Sequence, residues 1–576
     1  MQRLLTSFFC LALIPTLGLC ANPTLPYRSV TQARLEAPEP DNWLMYRRTY
    51  DSQGYSPLAT INTRNVRQLV PLWSFSTGVE EAHQAPPLVN DGMMFITTPR
   101  NQILALDART GDLQWRYQRQ LPDDLFQLHP TNRGVALYED RVYLATVDAF
   151  LVALDARTGE VLWEKPVENY LDGYYMTLAP LVVNGRVMVG TSGGELGVRG
   201  FIQAFDAKTG DALWKTYTVP APGEPGSETW PGDTGKHGGV PVWVTGSYDP
   251  ATQLSYWGTG NAGPWMGDAR TGDNLYATSV IAVDVNTGAI RSHHQYHWND
   301  SWDWDEVAAP LLIDIQRNGR TLKSLIHEGR NGYLWMLERT SKGIGFVEAQ
   351  AYVKQNVFTR LDPLTGRPEY DPQHKPRIGQ RTEFCPSIWG GKDWPPSAYS
   401  PQTGYLYIPA NENLCSALAG EPAKYRAGEP YIGLPVANIE VFPTPEGKDH
   451  IGELQAWDLA AGKKVWTKTF KSHNWGPVLA TAGGLVFSGG TNDRYFRAFD
   501  AHTGDVLWQQ RTNSGVVGVP TSYAIDGQQY IAVQSGWGVD AQRKQEFLDK
   551  AYGTKTQVPQ GGVLWVFGLP PATPAP

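Results

Sequence analysis

Residues 105–115 read ALDARTGDLQW, residues 153–163 read ALDARTGEVLW and residues 204–214 read AFDAKTGDALW. The unit, Ala-x-Asp-x-x-Thr-Gly-x-x-x-Trp, returns as AVDVNTGAI at 282–290, AWDLAAGKKVW at 456–466 and AFDAHTGDVLW at 498–508. Ala-x-Asp reads as the end of a strand, and Thr-Gly as a tight turn whose glycine supplies a backbone conformation other residues resist. The next strand then delivers a Trp at a fixed place, where it can pack on a neighbouring unit. Starts separated by about 40–50 residues suit one four-stranded blade per unit. Other strand pairs, LVPLWSFSTG at 69–78 and NGYLWMLERTSKG at 331–343, fill the gaps. The pattern predicts an all-β propeller with tryptophan docking. Six recognisable units do not fix the blade number, and the repeats build scaffold without performing chemistry.

The rest of the composition agrees. The 576 residues include 21 Trp and 59 Gly, as many short strands and turns require, and the net charge of -8 argues against a nucleic-acid partner. The amino terminus reads as a signal peptide over residues 1–21, with Arg3 before an apolar run from Leu4 to Leu19 and small residues near Cys20 and Ala21. An uncleaved anchor is the alternative. The expectation is an exported, periplasmic protein with a mature domain over 22–576. That chain keeps Cys385 and Cys415, which in an oxidising compartment most simply form one disulfide, free buried thiols being the alternative. There is no Cys-x-x-Cys-His, so this chain carries no motif for a covalent c-type haem.

Chemistry is sought between the repeats. Glu195 lies in the Gly-rich TSGGELGVRG at 191–200, after the apolar run LVVNGRVMVG. Asn261 follows Gly-Thr-Gly in YWGTGNAGPW at 256–265, and NDSWDWDEV at 299–307 alternates Asp303 and Asp305 with Trp302 and Trp304. Read as extended chain, that alternation puts both aspartates on one face. Four oxygen-bearing side chains suit a hard cation rather than zinc or copper. The plainer alternative makes Glu195 and Asn261 turn residues with local hydrogen bonds.

With NRG at 132–134, HEGRNG at 327–332, FCPS at 384–387 and NWGPVLATAGGL at 474–485, these segments resemble, in order and spacing, the pyrroloquinoline quinone (PQQ)-dependent methanol and ethanol dehydrogenases. The resemblance runs from NWLMYRRTYDSQGYSPL at 42–58 to GGVLWVFGLP at 561–570. It implies an eight-bladed propeller that oxidises an alcohol to an aldehyde or ketone. It implies metal ligands at Glu195, Asn261 and Asp303, with Asp303 also the catalytic base. Asp305 resembles the lanthanide-using branch, which carries Asp there, so a lanthanide is favoured and calcium is the alternative. Trp243 is the implied seat for the quinone. Arg133 is implied to pair a PQQ carboxylate, and Arg330 to face the reactive carbonyls. Thr177, Ser192, Gly193, Gly194, Trp475 and Gly476 are implied cofactor contacts. The metal would polarise the quinone carbonyl that accepts the hydride, and a separate cytochrome c is the implied electron acceptor. A homodimer is common in the family.

Five positions depart from the family pattern. Gln127 and Leu128 stand where adjacent cysteines usually cover the cofactor, so that wall is expected to be built differently. Gln84 replaces a usual Glu, Pro241 a usual Thr and Asp393 a usual Asn, all near the cofactor. Trp265 and Trp537 are expected in the pocket wall, and the Pro- and Gly-rich segment from Ala417 to His450 suits a lid. The alternative function is a non-catalytic propeller serving as an envelope binding or assembly scaffold.

Overall fold

The computed structural model describes residues 25–317 and 319–570. The signal-peptide reading lies outside the described residues. Eight sheets of four or five strands occupy, in chain order, 88–118, 136–166, 181–217, 247–295, 311–351, 398–470, 479–511 and 521–568. The last is completed from the other end of the chain, because Val70–Ser76 pairs antiparallel with Val563–Gly568. Within a sheet the inner three strands are almost wholly buried. The fourth alternates, as in Val161–Pro166, so that only one of its faces packs.

The repeated unit does in the structure what its residues dictate. Asp206 ends the strand Phe201–Asp206, and its Oδ1 accepts the main-chain N–H groups of Lys208 and Thr209, both at 2.9 Å. Gly210 then turns the chain at φ 73°. The indole of Trp163, from the preceding sheet, covers that glycine so closely that an added Cβ would come within 2.7 Å of the ring. The same arrangement joins Trp73 to Gly111, Trp115 to Gly159, Trp214 to Gly288 and Trp466 to Gly504. Indole N–H groups fasten it further: Trp115 donates to Ala156 O at 3.0 Å and Trp214 to Val285 O at 3.1 Å. Tyr523 of the last sheet donates to Ala108 O of the first at 2.6 Å. Each glycine is thus required twice, for its turn and for the ring above it.

Two insertions stand apart from the repeats. Arg381–Phe384, Leu414–Ala419 and Ile439–Pro443 form a three-stranded sheet held by the Cys385–Cys415 disulfide. The helix Val539–Tyr552 follows the strand Gln528–Ser535. The segment expected as a lid contributes one of those strands, and its Tyr431 N–H donates to Glu195 O at 2.6 Å. Among the described residues no helix is long and apolar enough to cross a membrane.

In an antiparallel meander the residues before the first strand and those after the second lie at the same end of the sheet. Arg133, Thr177, Trp243, Asp303 and Asp393 all precede a first strand, whereas Glu195, Asn261 and Arg330 follow a second. The topology therefore carries all eight to one end of their sheets.

Candidate active site

One cleft is lined by His129, Arg133, Tyr175, Thr177, Ser192, Gly193, Glu195, Trp243, Asp303, Asp305, Arg330, Trp389, Asp393 and Asp540. Ten of the fourteen are residues singled out in the sequence.

Its acidic side is built on tight backbone. Gly193 and Gly197, at φ 99° and 69°, bracket the turn that carries Glu195. The ring of Pro241 lies against both Gly194 and Gly260, so the proline that replaces a hydroxyl residue acts as a packed wedge under both loops. Asp303 sits at φ 65°, so the extended alternation expected at 302–305 does not hold. The Asp300 carboxylate accepts the N–H groups of Trp302 and Asp303 at 3.4 and 3.2 Å and folds the segment into a turn. Trp302 and Trp304 still share one buried side, stacked 5.1 Å apart, while both aspartates line the cleft.

Asn261 joins the two aspartates. Its Nδ2 donates to Asp303 Oδ1 at 2.9 Å and its main-chain N–H to Asp305 Oδ1 at 2.6 Å. Asp305 Oδ2 also accepts the indole N–H of Trp243 at 3.2 Å and faces Arg330 at 3.4 Å. Arg330 donates to Asp303 O at 2.9 Å and pairs with Asp393 at 2.9 Å, so the Asn-to-Asp departure gives this arginine an anionic partner. Behind it Glu306 accepts the Arg330 N–H at 3.1 Å and bonds His327 at 2.6 Å.

Burial dominates the electrostatics. It pushes the Asp303 carboxyl well above the usual range; Arg330 opposes this, while Asp305 and Glu195 reinforce it. Asp305 is pushed up to about 7 by burial, again against Arg330. Carboxyls so placed resist ionisation until a cation arrives. The donors are all hard oxygens, which fits calcium or a lanthanide. Among the described residues no three His, Cys, Asp or Glu side chains already converge closely enough to hold a metal. Asp305, with both oxygens engaged by donors, stands further from such a role than Glu195 or Asn261.

The basic side suits a flat anionic ligand. The Arg133 guanidinium lies 4.6 Å over Trp243 and donates to Thr177 Oγ1 at 2.6 Å, and Thr177 in turn meets Ser192 at 3.2 Å. Burial lowers Arg133 to about 10. Nε of Arg133 and Nε of Arg330 are buried without a protein partner, so the chain leaves donors available that a bound carboxylate or carbonyl would satisfy.

Other residues named from the sequence lie outside the lining of this cleft. Trp265 and Trp537 are buried but do not line the cleft; Trp537 packs against His473. Gln84, Gly194, Trp475 and Gly476 are also absent from the wall. The Gly476 N–H is already donated to Asn474 at 2.9 Å, whereas the indole N–H of Trp475 and Oε1 of Gln84 are buried without partners. Sequence reasoning missed His129, Tyr175, Trp389 and Asp540. Tyr175 precedes a first strand and was open to the end-of-sheet argument; Asp540 lies on a helix outside the repeats.

Residues 43–357 and 448–531 match the family described as PQQ, glucose/ethanol/alcohol dehydrogenase, β-propeller domain. The chain is 38% identical to quinoprotein alcohol dehydrogenase PedH of Pseudomonas putida, over 90% of this chain and 89% of that protein. It is 36% identical to the lanthanide-dependent methanol dehydrogenase of Methylacidiphilum fumariolicum, over 97% and 95%. Its fold superposes on a europium-containing methanol dehydrogenase with a TM-score of 0.88 at 36% identity, covering 93% of this chain and 100% of that one. The chain belongs to the family of PQQ-dependent β-propeller alcohol dehydrogenases.

Proposed function

We propose that this protein oxidises an alcohol to an aldehyde or ketone, with PQQ against Trp243 and a hard cation beside Glu195, Asn261 and Asp303. We read the eight sheets as eight blades of one domain over 22–576, exported to the periplasm. The observation that carries the reading is one cleft holding a buried carboxyl of raised pKa at Asp303, an arginine against it at Arg330 and a tryptophan at Trp243 bonded to the same acidic cluster.

PQQ, when bound with its cation, supplies the two-electron acceptor for the alcohol's hydride. The chain's own residues do the rest. Trp243 offers a flat face, and Arg133 offers a planar fork with Nε still unpaired. Asn261 holds one Asp303 oxygen, which orients the carboxylate that takes the alcohol's hydroxyl proton. Arg330 stabilises negative charge developing beside it. Glu195, Asn261 and Asp303 would hold the cation, which would polarise an oxygen as a Lewis acid.

A lanthanide is favoured over calcium because Asp305 adds a third carboxyl to the cluster. The names of the europium-containing and lanthanide-dependent relatives support the same choice. A separate cytochrome c is the proposed acceptor, since the sequence lacks a Cys-x-x-Cys-His motif. The test is reconstitution with PQQ and either lanthanum or calcium, followed by dye reduction across primary alcohols, secondary alcohols and aldehydes. Alcohol-dependent reduction supports the proposal; none with either metal refutes it.

A further inference from the structure

The cleft has a wall that the propeller repeats do not build. Leu125–Pro130 contains no helix or strand, yet His129 from it lines the cleft. Its Nε2 meets Asp540 Oδ2 at 3.3 Å, and its Nδ1 meets the Tyr175 hydroxyl at 3.4 Å. Asp540 and Tyr175 line the same cleft. Asp540 stands in the first turn of the helix Val539–Tyr552, where the helix dipole favours a carboxylate. Burial pushes this carboxyl up, but His129, Arg543 and Arg330 together hold it well below the usual range. Arg543, one turn on, donates to Asp540 at 3.1 Å and to Leu128 O at 2.7 Å, so the helix grips both neighbouring residues of the loop.

The helix is itself anchored. Phe547 packs on Trp389 with ring centres 5.7 Å apart, and the Tyr552 hydroxyl donates to Gly447 O at 2.9 Å. Lys544 is fully buried beside the rings of Trp389 and Trp475. Two parts of the chain more than 400 positions apart thus meet across the cleft rim through one histidine–aspartate pair.

We propose that His129, oriented by Asp540 and Tyr175, is the closing wall of the cofactor cleft, and that this clasp sets how fast the bound quinone leaves. The inference rests on the PQQ reading above. An imidazole held at both nitrogens presents a fixed planar face to a planar ligand, whereas the same ring on an untied loop would not. His129 and Asp540 are positioning residues here and take no part in the proton transfer proposed at Asp303.

The test is the rate at which holoenzyme loses PQQ after transfer to quinone-free buffer, followed by quinone absorbance and tryptophan fluorescence. Loss of the His129–Asp540 contact should make His129→Ala and Asp540→Asn release PQQ about ten-fold faster. The double variant should be no faster than the faster single one, because the pair acts as a unit. Release within about two-fold of wild type in both single variants, with only the melting temperature lowered, would overturn the inference. If Asp540→Asn does not fold, His129→Gln, which keeps an amide donor but loses the ring, is the substitute: faster release supports the clasp and unchanged release refutes it. A wild-type chain that takes up no PQQ overturns the functional reading and this inference together; normal uptake with unchanged release overturns this inference alone.

Discussion

The main-chain N–H of Asn261 donates to Asp305 Oδ1 at 2.6 Å, tying the loop after the strand Leu254–Gly258 to the loop before the strand Leu311–Arg317. This approach needs the glycine at position 260, where an added Cβ would collide with Asp305 Oδ1 and lie 2.8 Å from Pro241 Cδ. Gly260→Ala should therefore separate the loops. Metal affinity should fall at least about ten-fold by calorimetric titration, with overpacking costing about 1–3 kcal/mol of stability. Unchanged affinity would show that the tie does not shape the cation site.

Asp303→Asn removes the proposed proton acceptor while keeping the side chain's size and its neighbour Asn261. Turnover should drop by about 10²–10⁴. Tryptophan fluorescence quenching by PQQ should persist, which separates loss of the base from loss of the cofactor.

Asp305→Ala should impair lanthanum-supported turnover more than calcium-supported turnover. Because this carboxylate also accepts from Trp243 and faces Arg330, some loss with both metals is expected. The selectivity is read from the ratio of the two rates; an equal loss would mean that Asp305 serves only as a partner for its protein donors.

The carboxyl of Asp305, pushed up to about 7 from an ordinary 3.8, fixes the sign of two pH effects. Without metal, Asp305 keeps its proton in the folded chain between about pH 4 and 7, where the same residue in the unfolded chain has lost it. Its own contribution to stability should therefore fall as pH rises through that window, while His83, His294 and His327, whose ring pKa values are lowered by burial, contribute with the opposite sign. Metal favours the ionised forms of Asp303 and Asp305, both pushed up by burial, so cation affinity should rise as pH rises through this window. Melting temperatures of the metal-free and metal-loaded protein across this range should diverge as pH rises.

Trp115→Ala removes an indole that covers Gly159 and donates to Ala156 O at 3.0 Å. Losing a large buried ring should cost about 3–5 kcal/mol in denaturant unfolding. The cleft lies at the ends of the sheets and contains none of these groups, so PQQ affinity of the folded fraction should be unchanged.

The scaffold was legible because each repeat encodes both halves of one contact, an Asp–Gly turn and the Trp that covers the next such turn. The site was legible through the order of its motifs, and meander topology explains why those positions share an end. Two parts were not legible. Asp303 adopts a left-handed backbone because Asp300, three residues earlier, captures the following N–H groups, and simple alternation does not report such a turn. The wall at His129 depends on a partner at Asp540, on a helix outside the repeats, and no periodic pattern connects them. Trp265 and Trp537 are buried, and a tryptophan beside a motif fills core as readily as it lines a cleft.

The central claim is that one planar quinone binds against Trp243 beside the Asp303 cluster, and its most direct test is a PQQ titration of metal-loaded protein followed by tryptophan fluorescence. Wild type should be quenched with one quinone per chain, and Trp243→Ala should bind at least about ten-fold more weakly. No saturable quenching of wild type, or equal affinity in the two proteins, would contradict it.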